Sequence, residues 1–182
     1  MPAFRTYSAT AIALLLGIAS CPFGARPLAA QESARAPVPP SKQVNITFEG
    51  RVTTLTFDDL LKLPQVTVHV HNPHTNADES YTGPSLSDVL ARAGLSATRE
   101  TEPIILHSSV VATGSDHYFV LYSVTEVEPS FSTGKVIVAI RKFDLPNTEG
   151  GIIQLVNTLD TKPSRWIQGL ANVNVISVAP TS

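Results

Sequence analysis

Tyr81-Thr82-Gly83-Pro84-Ser85-Leu86-Ser87-Asp88-Val89-Leu90-Ala91-Arg92-Ala93-Gly94 is the stretch whose reading decides the fold. Ser85 and Asp88 are spaced as a helix cap and the acid of its first turn, where a hydroxyl accepts an otherwise unpaired N–H and a carboxylate meets the positive helix end. Leu86, Val89, Leu90 and Ala93 recur on one helical face, and Gly94 supplies the left-handed residue that ends such a helix. An amphipathic helix needs a surface to cover, and the rest of the chain offers strands.

Upstream, residues 65–71 alternate Val66, Val68 and Val70 with polar neighbours, which predicts a half-buried strand. Residues 72–80 are polar and include Pro73, so they read as a loop. Further back, residues 44–48 and 52–55 form a hairpin around Glu49-Gly50-Arg51, and Thr56 with Asp59 opens a short helix that Pro64 stops. Downstream, residues 104–112, 117–122, 135–141, 152–156 and 170–178 read as strands. Residues 123–127 make one helical turn, and 142–151 form a long loop. Many strands with two or three short helices give an α+β class with a mostly β core.

The chain has 182 residues and one cysteine, Cys21. Arg5 followed by the uncharged run from Ala11 to Ala19 reads as an export signal over residues 1–30, too short to span a bilayer. Leu28-Ala29-Ala30 fits ordinary signal peptidase. Ile18-Ala19-Ser20-Cys21 resembles a lipobox, so lipid anchoring at Cys21 is the alternative, disfavoured by Pro22 and Phe23. The expected location is periplasmic or secreted. Residues 31–42, with Pro37, Pro39 and Pro40, form a flexible leader, and residues 43–180 the folded domain. Two of the 13 basic residues lie in the signal, leaving 11 against 15 acidic ones, a net charge near −4. That balance excludes a nucleic-acid surface, and no stretch after the signal is apolar enough for a transmembrane helix.

Several weak motifs fall in a familiar order. Leu55 to Leu63, then Val66-Thr67-Val68, then the Tyr81–Gly94 stretch, Ser115-Asp116-His117-Tyr118, Ser123-Val124-Thr125-Glu126-Val127, Gly150 to Val156 and Arg165-Trp166-Ile167 together resemble the oxidoreductase molybdopterin-binding domain family of the sulfite oxidase type. The resemblance covers residues 44–178 and implies a sulfite oxidase molybdopterin-domain-like fold in a short, degenerate member. It implies a pterin-facing cleft with Tyr81, Gly83, His117, Tyr118, Arg165 and Trp166 as cofactor-binding positions, Arg165 being the natural anion donor. It also implies a molybdenum-ligating cysteine near the end of the strand before the tyrosine-glycine helix. Here that region reads Val68-His69-Val70-His71-Asn72-Pro73-His74, and neutral imidazole does not replace a soft anionic thiolate. A non-catalytic module that binds a small anion or an envelope protein is therefore the more physical expectation. The alternative is a molybdopterin-dependent oxidoreductase passing electrons to a separate carrier.

The residues also admit a third reading. His69 and His71 lie two apart on a predicted strand and so project from one face, and His74 follows in the loop. Three imidazoles suit zinc or copper, with Asp78, Glu79 or His107 as a fourth ligand. Against this, Thr67, His69 and His71 are also what the solvated face of a strand looks like. Trp166 has its own bland reading as a core anchor, worth about 3 kcal/mol of burial. No catalytic residue is assigned, because His107, Asp116 and His117 have no nucleophile at a recognisable spacing.

Overall fold

The computed structural model describes residues 38–148 and 151–178. The expected export segment, Cys21 and the beginning of the leader lie outside them. The chain divides into two units, Met1–Arg35 and Ala36–Ser182, and every described residue belongs to the second.

In chain order the elements are β1 (Gln43–Phe48), β2 (Arg51–Thr56), α1 (Phe57–Leu61), β3 (Val66–Asn72), β4 (Ala77–Gly83), α2 (Leu86–Arg92), α3 (Glu102–Leu106), β5 (Ser108–Gly114), β6 (Phe119–Ser123), α4 (Val124–Val127), β7 (Val136–Ala139), β8 (Arg141–Lys142), β9 (Leu145–Pro146), β10 (Gln154–Asn157) and β11 (Leu170–Ser177). They form a five-stranded sheet in the order β2-β1-β11-β5-β6, a four-stranded sheet β3-β4-β8-β9, and a β7–β10 pair between them in the packing. All strand pairs are antiparallel except β1 with β11. The mostly β α+β class is therefore the observed one.

The layering follows from the side-chain alternation. The inner face of the five-stranded sheet presents Val44, Ile46, Val110, Ala112, Tyr122 and Val173 to the α2 residues Leu86, Val89 and Leu90 and to Val136, Val138 and Leu155. The opposite face of the β7–β10 pair, Ile137, Ala139 and Val156, packs on Val68 and Tyr81 of the β3–β4 ribbon. With both faces covered, β7 is buried at all four positions, which is why it reads as an unbroken apolar run. Gly83 makes the close packing possible: a Cβ there would lie 2.0 Å from the Val138 carbonyl oxygen.

The helix ends are built as the sequence predicts. Ser85 Oγ accepts the Asp88 N–H at 3.0 Å, and Gly94 takes a left-handed φ of 97°. Thr56–Asp59 and Ser123–Glu126 both form reciprocal capping boxes.

Three readings are corrected. Residues 77–80 are not loop but the first half of β4, paired with β3 through a turn at residues 73–76. Residues 102–106 form α3, a fourth helix, with a proline in its first turn, so the strand expected from Ile104 begins only at Ser108. The long loop after Lys142 starts as a tight hairpin, with Phe143 and Asp144 left-handed between β8 and β9. At the other end, Ser41 of the expected leader is buried and donates backbone and side-chain hydrogen bonds to the Gly151 carbonyl.

Candidate functional site

Alternation along β3 and β4 splits the sequence-derived candidates between two faces. Thr67, His69 and His71 stand on the outer face opposite Thr82, Ser80 and Asp78. His71 Nδ1 lies 2.9 Å from Asp78 Oδ1. His74 sits in the turn, where its backbone N–H donates to Asn72 Oδ1 at 3.0 Å. Among the described residues, no three His, Cys, Asp or Glu side chains gather as a metal ion requires.

On the inner face of the same ribbon lies Glu79, 4% exposed. Its carboxylate accepts the Tyr81 hydroxyl at 2.7 Å, Asn72 Nδ2 at 3.1 Å and Thr75 Oγ1 at 3.2 Å, and pairs with Lys142 Nζ at 3.1 Å. Burial is the largest single influence on this acid and would raise its pKa. The hydrogen bonds from Tyr81, Asn72 and Lys142 together outweigh burial and hold it below the usual carboxylate range. Tyr81 in turn meets Trp166 edge-on, ring centroids 5.7 Å apart, and Trp166 Nε1 donates to the Asn157 carbonyl at 2.9 Å. Trp166 is thus a half-buried anchor between ribbon and β10.

Arg165, its neighbour, has its guanidinium closed in a clasp. Nε and Nη2 each donate to Asp160 at 2.7 Å. Nη1 reaches Glu126 at 3.1 Å and the Leu121 carbonyl at 3.2 Å. The guanidinium carbon stands 4.6 Å from the centre of the Tyr122 ring, whose hydroxyl donates to the Arg165 carbonyl. The hydrogen bond to Asp160 leads the influences that raise the Arg165 pKa, and the same contact lowers that of Asp160. Tyr118 joins the segment by donating to the Ser164 carbonyl at 2.6 Å. His117 is a left-handed turn residue, φ 65°, exposed between β5 and β6.

The fold therefore brings Tyr81, Tyr118, Arg165 and Trp166 together along one segment and leaves His117 in a turn and Gly83 in backbone packing. His69 and His71 occupy the opposite face of the ribbon from Tyr81, and His74 lies in the turn that joins its strands. Asp160, Glu126, Asn157 and Lys142, which complete the two charge centres, were not singled out from sequence, and Glu79 was read there only as a possible fourth metal ligand, whereas it is the buried centre of one of them. The Ser123-x-x-Glu126 spacing was the one available sign. One Glu126 oxygen caps α4 through the Ser123 N–H at 2.7 Å while the other holds Arg165.

Sequence reasoning also missed a groove of about 510 Å³. It runs between the start of α2 and the segment entering β7, with Val66, Val127, Pro129 and Ile137 as apolar walls and Ser85 and Lys135 among its polar lining. Its size falls in the range of small-molecule pockets, and apolar walls with a few polar groups are their usual chemistry.

The donor set does not fit a sulfur-ligated metal. The sole cysteine of the sequence is Cys21, and the strand in which the sequence resemblance implied a cysteine shows imidazoles on an exposed sheet face. The arginine expected to meet an anion already holds two carboxylates.

No family model and no curated protein matches the chain. Among solved structures, the chain is similar to the sulfane dehydrogenase SoxCD from Paracoccus pantotrophus, with a TM-score of 0.54 and 16% sequence identity. The match covers 76% of this chain and 39% of that one, so the chain spans about two fifths of its length. At this identity the likeness is one of fold.

Proposed function

We propose that the chain is an exported, non-catalytic ligand-binding module, built on a fold it shares with part of an oxidoreductase. The observation that carries this reading is the groove beside α2: a preformed cavity of about 510 Å³ with apolar walls, in a domain without a thiolate for a metal. Lys135 gives it a cation among hydroxyls, which suits a small organic anion with an apolar body. A fold that persists while its chemistry changes is common, because function resides in particular side chains grafted on the fold.

The test is native mass spectrometry with elemental and pterin analysis of protein isolated from its own cell envelope. An organic ligand at one equivalent, lost in Lys135→Glu and accompanied by no stoichiometric metal, is the expected result. Molybdenum and pterin in equal amounts with the chain would overturn the proposal in favour of the oxidoreductase. Bound zinc or copper that disappears in His71→Ala would replace it with the histidine reading.

A further inference from the structure

The four-stranded sheet ends in β3, and the ladder fixes which of its backbone groups are unused by β4. Ile140 and Phe143 donate their N–H groups to the carbonyls of Thr82 and Ser80, so those β4 residues face away from β3. Glu79, Tyr81 and Gly83 must then bond β3, and their register partners are Val70, Val68 and Val66. By alternation, Thr67, His69 and His71 turn their N–H and C=O groups outward. No described residue hydrogen-bonds these outward groups.

The other edges are bonded, short or charged, and β2, which is bonded only at its end, starts with Arg51. On β6, Arg165 takes the Leu121 carbonyl and Glu126 the Ser123 N–H. On β2, Asp59 accepts the Thr56 N–H at 3.2 Å. The β9 edge is two residues long and contains Pro146. By contrast β3 runs seven residues with no lysine, proline or bulge, in unbroken register with β4. Proteins ordinarily defend such an edge with those devices, and β3 has none.

We infer that the β3 edge is an interface at which two copies of this chain pair antiparallel about a two-fold axis, joining their four-stranded sheets into one. The sequence commits the occupant to a second copy because Val66-Thr67-Val68-His69-Val70-His71-Asn72 is nearly self-complementary about His69. An axis at His69 sets it against its own copy and Thr67 against His71, so all three outward residues pair. On the other face Val68 meets Val70, so the partly exposed Val70 gains apolar cover, and Val66 stands opposite Asn72. β3 contains no Asp, Glu, Lys or Arg, so no permanently charged side chains meet when two copies approach. This inference is independent of what occupies the groove.

The full chain, measured by sedimentation across a range of micromolar concentrations, is expected at twice the mass of one chain. The amides of Thr67, His69 and His71 are expected to resist hydrogen exchange, which a free edge does not. His69→Pro removes an outward N–H and spares the β4 ladder, so it is expected to give a folded monomer. Thr67→Lys with His71→Lys leaves the backbone intact and sets like charges opposite each other, so it decides the matter if the proline variant does not fold. A wild-type chain that stays monomeric, even one that captures a foreign strand, overturns the inference. So does a dimer that persists in either folded variant.

Discussion

Glu79 and Arg165 are each a single charge held by several partners, yet they are built differently. Three of the four Glu79 partners come from its own hairpin, within seven residues, and only Lys142 comes from β8. Arg165 instead gathers Asp160 from the preceding loop, Glu126 from α4 and the Leu121 carbonyl from the β6 edge. Glu79 is almost fully enclosed, whereas the Arg165 side chain keeps 29% of its surface in water. The first centre is a local pin made expensive by burial. The second is a clip between distant elements, softened by solvent. Energy and reach are thus divided between them.

The comparison breaks most visibly at Glu79. Glu79→Ala removes the acceptor shared by Tyr81, Asn72 and Thr75 in an enclosed site, and breaking a buried pair costs about 3–5 kcal/mol. A large fall in the urea midpoint is expected, with the β3–β4 amides losing exchange protection first. Arg165→Ala leaves Asp160 and Glu126 without their cation, but with solvent screening the loss is about 1–2 kcal/mol. Arg165→Lys is expected to recover little of it, since an ammonium cannot reproduce the two-pronged contact with Asp160. Equal effects at both centres would show that enclosure is not what separates them.

Ser123→Ala sharpens the comparison at about 1 kcal/mol, the worth of a helix cap. It removes the hydroxyl that caps α4 and leaves the Glu126–Arg165 contact in place, so thermal melts of it and the Arg165 variants measure cap and clip separately. The smallest effect is a slope. Because the Glu79 pKa is lower in the folded chain than its ordinary 4.5, its contribution is complete above that value and is lost as pH falls through the lowered one. Stability measured against pH is expected to decline on that acid limb, and Glu79→Gln to decline less steeply.

Much of the frame was legible because local chemistry and packing agree in it. In α2 the cap, the apolar face and the terminal glycine all indicate one helix, and the Val66–Val68–Val70 alternation gave β3 correctly. The failures lie where tertiary context overrode local pattern. Ile104-Ile105-Leu106 is an apolar run that reads as strand, though Pro103 signals a helix start. Asp78-Glu79-Ser80 looks like loop because it is polar, and only the Glu79 network explains a buried acid in a strand. The Arg165 clasp was legible only in its Ser123–Glu126 cap, since Glu126 and Leu121 lie about forty residues from Arg165 in the chain. The groove was equally hidden, being assembled from three separated segments.

The parallel pairing of β1 with β11 places the first strand of the domain beside its last, in the middle of the larger sheet. A ribosome delivers these strands in order, so nascent β1 has only its hairpin partner until almost all of the domain has been made. Every earlier intermediate carries a gap at the centre of that sheet, and the final strand acts as a keystone that closes it.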